Sequence, residues 1–302
     1  MIALVSAPTN LGLRPPEPGG VPGTSKAPEA LRAAGLFDRL GAAGATDAGV
    51  VLPGRYVDDD ATRPPGHVRN EAAIIDHARR LGARLDAVIG EGRVPLVIGG
   101  DCSLVIGAGL MTAAPRGRGL VHVDGHTDFR HPAVSDWCAS VAGEDLAAAI
   151  GLHWPAISDI DGTAPYFAAT RTAHIGCRDD DHFLERVRST LGSVATAGDV
   201  IRRGGAEAAR DAMRVADHAG YWLQVDVDVL DPSFMPAVDG PAPGGLSPDQ
   251  LVGLLRELAP RAVGTAVTIF DPDLDPDGRY APLLVDVIAE GLGELGSGLT
   301  PR

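Results

Sequence analysis

Two short apolar runs, each ending in closely spaced acids, constrain this chain more than any other feature in it. Gly119-Leu120-Val121-His122-Val123 leads into Asp124-Gly125-His126-Thr127-Asp128, and Tyr221-Trp222-Leu223-Gln224-Val225 leads into Asp226-Val227-Asp228. Side chains two apart on a strand point to one face. Each acidic pair is therefore expected to share a direction at the carboxyl end of a buried strand. Four carboxylates and an imidazole gathered there would repel one another unless positive charge sat between them, and a pair of divalent cations supplies it.

The rest of the chain alternates in the same way. Strands are expected over Ile2–Ala7, Pro95–Gly99, Gly119–Val123, Thr172–Gly176, Tyr221–Val227 and Ala262–Phe270. Between them, Ala72–Val88 carries Ile74, Ile75, Ala78, Leu81, Leu85 and Val88 near a 3.6 period, which predicts a helix. Ser247-Pro248-Asp249-Gln250 reads as a capping box opening a helix through Leu258, and Ala281–Leu292 as a last helix. Strands alternating with helices predict an α/β chain whose parallel sheet is covered on both faces. Ligands of such sheets bind beyond the carboxyl ends of the strands, where both acidic motifs fall. Proline-rich residues 15–28, Asp58–Gly66 and Asp231–Gly245 read as rim loops.

Charge and composition narrow the partners. A net charge of -14 argues against nucleic acid or an anionic membrane as a partner. Cys102, Cys138 and Cys177 cannot all pair within one chain and suit a reducing, cytoplasmic setting. Met1–Val5 has no basic flank and breaks at Pro8, so it reads as a first strand and not a signal peptide. No apolar run reaches transmembrane length.

Three blocks carry a family resemblance: Gly99-Gly100-Asp101-Cys102-Ser103, Asp124-Gly125-His126-Thr127-Asp128, and Asp226-Val227-Asp228-Val229-Leu230-Asp231-Pro232-Ser233. Their order and spacing resemble the signature of the arginase/agmatinase, or ureohydrolase, family. Ala27-Pro28-Glu29-Ala30-Leu31-Arg32 and the Gly240–Gly245 loop are similar to further parts of that pattern. The resemblance implies one three-layer α/β/α domain over residues 1–302 with a mostly parallel central sheet. It also implies two Mn²⁺ ions, hydrolysis of a guanidino or amidino C–N bond, and a homo-oligomer, trimeric or hexameric. By the family pattern Asp124 and Asp226 are shared between the ions, and His126, Asp128 and Asp228 complete the ligand set. Asp128 would also pass a proton from the attacking water to the leaving nitrogen. The chemistry is consistent: a guanidinium carbon is a poor electrophile, and two ions that activate one water overcome that.

The departures from the pattern are as informative. The first block of the family normally ends in a ligating His, and Cys102 stands there, as it does in some members that cleave N-hydroxylated guanidines; either Cys102 ligates that ion, favouring another divalent metal, or the first site is weak. Arg130 stands near the position of an Asn that holds the substrate's carboxylate. The proton-shuttle His corresponds to about Ala142 and the guanidinium-clamping Glu to about Ile269, whereas Asp181 matches a position near the substrate's amino group. An uncharged Ile cannot pair a guanidinium, so a plain arginase or agmatinase is not expected. The substrate expected instead is a non-standard amidine, an N-hydroxyguanidine or a related molecule. A catalytically silent homologue with a structural or regulatory role, and a metal-free Cys102 nucleophile assisted by His126, are the alternatives. His122, deeper in its strand than Asp124, reads as a packed histidine. His131, His153, His174 and His182 share no spacing, and Asp58–Asp60 and Asp271–Asp277 read as solvated turns.

Overall fold

The computed structural model describes residues 1–113 and 117–299. Eight strands form one sheet: β1 (Ile2–Ala7), β2 (Thr46–Val50), β3 (Val94–Gly99), β4 (Gly119–Val123), β5 (Thr172–Ile175), β6 (Ser193–Ala195), β7 (Tyr221–Asp226) and β8 (Ala262–Thr268). Their order is β2-β1-β3-β8-β7-β4-β5-β6, and every pairing is parallel. The inner strands are apolar on both faces because both faces are covered. In β7, Tyr221, Leu223 and Val225 enter one core and Trp222 the other; in β3, Leu96 and Ile98 face one and Val97 the other. The helices Ala27–Ala33, Leu36–Ala42, Gly205–Ala216, Pro248–Leu258 and Tyr280–Leu292 cover the first face. Glu71–Gly90, Leu104–Gly109 and Asp145–Ala149 cover the second.

Local chemistry explains the boundaries. Pro95 cannot donate to a ladder, and it lies in β3 just before pairing with β8 begins at Leu96↔Thr265. The helix expected over Ala72–Val88 runs Glu71–Gly90 and buries Ile74, Ala78, Leu81, Leu85 and Val88. The capping box is present: Gln250 N–H donates to Ser247 Oγ (3.3 Å) and Ser247 N–H donates to Gln250 Oε1 (2.8 Å). Such a cap is worth about 1 kcal/mol. Among the described residues, no helix is long and apolar enough to cross a membrane.

β4 ends at Val123 as expected and β7 ends one residue before the expected Val227, so the acids beyond them lie on turns, and this changes how the site is built. β7 stops at Asp226, and Val227–Val229 form a 3-10 turn capped by the Asp226 side chain, which accepts from Asp228 N–H at 2.8 Å. β4 stops at Val123, so the 124–128 segment is a turn with Asp128 at φ +45°. The acids in each pair are thus brought together by tight turns and not by strand alternation. The turns are stable because carboxylates cap the backbone N–H groups that the sheet no longer pairs. β8 likewise ends at Thr268, and Ile269 follows with φ +75°. A β-branched residue in that region is strained. Its N–H is held by the Gly100 carbonyl at 2.7 Å.

The acidic turns serve the loops. Asp60 pairs with Arg63 and with Arg69, which is buried. Asp271 accepts from Gly23 N–H (3.1 Å) and Asp273 pairs with Lys26 (2.6 Å), which ties residues 271–273 to the loop at 23–26.

Candidate active site

The carboxyl ends of four adjacent strands, β3, β8, β7 and β4, open into a cleft of about 300 Å³. It is lined by His126, Asp128, Arg130, Ala142, Asp226, Asp228 and Ile269, among others. The turn after β3 presents Cys102. Asp101 fixes that turn by accepting from Ser103 N–H (2.9 Å) and Thr9 Oγ1 (3.0 Å). Gly100 is required there, because a Cβ would sit 2.4 Å from the Thr9 carbonyl oxygen. Gly125 is required for the same reason in the turn after β4: its Cβ would lie 2.6 Å from both Arg178 Nη1 and the Asp228 carbonyl oxygen.

The side chains expected to bind metal converge. Donor atoms of Cys102, Asp124 and Asp226 lie within 4.8 Å of one another, and so do those of Asp124, His126 and Asp228. The two groups share Asp124. Cys102 Sγ lies 2.8 Å from Asp226 Oδ2 and 3.4 Å from Thr268 Oγ1. His126 Nδ1 lies 2.8 Å from Asp228 Oδ2, and Gly125 N–H donates to Asp228 Oδ1 at 2.9 Å. Asp124 Oδ1 accepts from His126 N–H, but its Oδ2 is buried without a hydrogen-bond partner.

The electrostatics follow from crowding. Burial, and then the neighbouring carboxylates, push the Asp124, Asp128 and Asp226 carboxyls well above the usual range. Burial and then Asp226 push the Cys102 thiol up. The hydrogen bond to Asp228 raises His126. A buried acceptor without a donor is costly, and a cluster of hard oxygen donors with one imidazole suits divalent cations of the manganese type. The residues present therefore fit a pair of such ions.

One cation is already built into the fold. Arg178, buried, donates to the carbonyls of Asp228 (2.9 Å) and Ala242 (2.6 Å) and reaches those of Gly176, Val229 and Leu230. It braces the Asp228 turn against the loop that follows β7.

The residues expected to hold substrate are divided. Arg130 lines the cleft, and its Nε is 4.0 Å from Glu144 Oε1. Asp181 lines the cleft too, but its carboxylate already accepts from Thr127 N–H (3.0 Å), Thr127 Oγ1 (2.7 Å) and Phe183 N–H (2.8 Å). Ala142 and Ile269 both face the cleft and bring no polar group to it. Outward from Arg130, a wider cavity of about 880 Å³ is lined by Arg14, Arg130, Arg186, His182 and Trp137, and the last is 76% exposed.

Further polar residues here were not assigned to the site from the sequence. Asp145 is fully buried beside the acids, and donor atoms of Cys102, Asp128 and Asp145 lie within 4.8 Å of one another. His122 is packed, as expected, with Nε2 at 3.4 Å from Asp145 Oδ2 and 3.7 Å from Asp124 Oδ2. Its Nδ1 meets His174 Nδ1 at 3.0 Å, across paired residues of β4 and β5. Glu144 and Asp145, adjacent in the sequence, are both buried. Glu144 itself is committed: Oε1 accepts from Ala139 and Ser140 N–H, and Oε2 meets His153 Nε2 at 2.9 Å.

Comparison with known proteins agrees with this geometry. The sequence model of the Arginase family matches residues 2–293. The arginase of Bacillus caldovelox is 28% identical over 281 residues, covering 90% of this chain and 93% of that protein. The formimidoylglutamase of Halobacterium salinarum is 31% identical over 271 residues, covering 85% of this chain and 75% of that protein. The structure of native arginase from Bacillus caldovelox superposes with a TM-score of 0.85 at 26% identity, covering 97% of this chain and 98% of the other. An all-parallel sheet with its acids at the carboxyl ends of the central strands, matched in sequence almost from end to end, is the architecture of the arginase family, and this chain belongs to it.

Proposed function

We propose that the protein is a dinuclear metal-dependent hydrolase that cleaves the C–N bond of an amidine-type substrate less basic than a free guanidinium. Candidates are an N-hydroxyguanidine, an acylated amidine or an imine-like amide. The observation that carries this reading is the pair of donor groups sharing Asp124 at the base of one cleft, with one carboxylate oxygen left unpaired. Cys102, Asp124, Asp128 and Asp226 would hold one divalent ion and Asp124, His126, Asp226 and Asp228 the other, with manganese favoured by the carboxylate-rich set. Bound there, the ions would supply Lewis acidity and a water nucleophile at neutral pH.

The protein's own groups then have distinct roles. The Asp128 carboxyl, held on a strained turn inside the cleft, accepts the proton of the attacking water and returns it to the leaving nitrogen. The Ile269 and Ala142 walls give no partner to a cationic head group and exclude water beside it. Arg130 orients a carboxylate elsewhere on the substrate. Asp181 acts through Thr127 and holds the 124–128 turn in place.

Cys102 favours a second reading. Its thiol is paired with Asp226, which is compatible with a metal-poor, catalytically silent homologue. Metal analysis after chelation and Mn²⁺ reload, joined to assays for urea, hydroxyurea, ammonia and formamide over a panel of amidines, separates the two. Two ions and release of one of these products support the hydrolase. An ion-free protein with no release supports the silent homologue.

A further inference from the structure

Asp145 is a fully buried acid beside the cleft that the preceding reading does not use. It begins the helix Asp145–Ala149, which is tied to the 124–128 turn by Ala147 N–H donating to the Asp128 carbonyl at 3.3 Å. Its carboxylate is 0% exposed. Oδ2 meets His122 Nε2 at 3.4 Å, a distance at which a hydrogen bond is weak, and the carboxyl also faces that of Asp128, a second acid that raises its charge problem and does not relieve it. Oδ1 is buried and has no hydrogen-bond partner. A desolvated carboxylate left in this way is unfavourable unless it is paired or coordinates a cation. Its donor atom lies within 4.8 Å of those of Cys102 and Asp128, which belong to the Cys102 side of the acidic floor. Three explanations compete for Asp145: a structural partner of His122, a proton shared with Asp128, or a ligand; a shared proton engages one oxygen of Asp145, and a cation engages the crowded Cys102, Asp128 and Asp145 donors together. The long contact to His122 and the unpaired oxygen favour the ligand.

We propose that Asp145 directly ligates a divalent cation bound beside Cys102, so that this ion is held by Cys102, Asp128 and Asp145 together with the shared Asp124 and Asp226. The proposal rests on the metal reading above and adds to it a donor from the second helical layer. It makes the two ion positions chemically unequal. The position beside Cys102 is enclosed by a sulfur and carboxylates only, whereas the other has the His126 imidazole. Asp145 keeps a hard oxygen donor on the side where sulfur is present, so a hard ion such as Mn²⁺ can be held there.

The test is metal binding by the full chain. Protein stripped with a chelator is titrated with Mn²⁺ by calorimetry, and bound metal is counted after desalting, for wild type and for Asp145→Asn. Wild type is expected to take two ions. Asp145→Asn is expected to keep the His126-side ion and to bind the other at least tenfold more weakly, given the ten- to hundredfold that even outer partners of a metal typically contribute. In the Co²⁺-loaded protein the thiolate-to-metal absorption band of Cys102 should fall in parallel. Two ions at wild-type affinity in a folded Asp145→Asn overturn the proposal while leaving the hydrolase reading intact. Wild type that takes up no metal overturns both. If Asp145→Asn does not fold, anomalous diffraction from Mn²⁺-loaded wild-type crystals decides: an Asp145 oxygen in the ion's coordination shell supports the proposal, and its absence overturns it.

Discussion

The floor and the mouth of the cleft are built from opposite materials. The floor is acidic, enclosed and mounted on turns at the ends of β3, β4 and β7. The mouth is basic and open: Arg14 and Arg130 stand on loops after β1 and β4, and Arg186 on the short helix Leu184–Thr190 after β5. A sheet end is positioned by ladder register on both sides, and a loop is not. The floor can therefore hold ions to a fixed geometry, while the mouth is free to be remodelled for a new substrate. Within a chain of net charge -14, three arginines at one opening are a local inversion of sign. An anionic substrate would be drawn to the mouth and then meet an acidic floor that accepts it only if cations are in place.

The largest expected effect lies in the floor. Asp124→Asn or Asp226→Asn should lower metal affinity at both positions by on the order of a hundredfold or more, beyond what an outer partner contributes. Full occupancy of two ions in either variant, counted by metal analysis, would falsify the shared-ligand assignment. Cys102→Ala should be milder, weakening one ion about tenfold because oxygen donors remain. Loss of both ions in that variant would mean that the floor is less divided than described.

The walls and mouth should govern selectivity. Facing Ile269 and not a carboxylate, a guanidinium forgoes a charge-assisted contact of about 1.5–3 kcal/mol, roughly ten- to a hundredfold in affinity. Little urea should therefore be released from L-arginine or agmatine by the Mn²⁺-loaded protein. Efficient release at millimolar substrate would show that some other acid takes the cation. At the mouth, Arg130→Ala should raise KM for a carboxylate-bearing substrate by about tenfold with kcat little changed. A fall in kcat with an unchanged KM would move Arg130 from orientation into the chemistry.

The smallest effect concerns stability and isolates the floor from the mouth. Asp124, Asp128 and Asp226 have raised carboxyl pKa values in the metal-free fold. The folded state then binds more protons than the unfolded chain, so this part of the stability is present at low pH. It is lost as pH rises from about 4, the unfolded carboxylate value, through the raised folded values. The Tm gap between Mn²⁺-loaded and chelated protein should thus widen from pH 5 to pH 8. A constant gap would remove the floor carboxylates as its source.

How much of this was legible in the sequence depends on contiguity. The floor acids sit in short blocks directly after apolar runs, so the strand and its cargo could be read together. What was misread was the local geometry: Asp226 and Asp228 looked like alternate residues of one strand, but the strand yields to a turn as soon as Asp226 caps Asp228 N–H. Edge strands were missed for a related reason. β2 reads Thr46-Asp47-Ala48-Gly49-Val50 and is half exposed, and β6 is three residues long, so neither forms an apolar run. Asp145 and His174 carry no local mark, because only the tertiary fold brings them beside Cys102 and His122. Ala142 and Ile269 could be placed only through the family pattern, and the structure puts both at the cleft.

Ile269 has a consequence for how this protein can evolve. Its backbone conformation, φ +75°, favours glycine or asparagine, yet a branched apolar side chain is kept there against a strain of roughly 1–3 kcal/mol. Selection for foldability alone would drift the position toward Gly or Asn. A saturation library at 269, scored once for thermal resistance and once for rejection of guanidinium substrates, should therefore rank its members in nearly opposite orders, a local trade between robustness and discrimination. If Gly or Asn at 269 proved both more robust and equally discriminating, the apolar wall would be an accident of ancestry and not a filter.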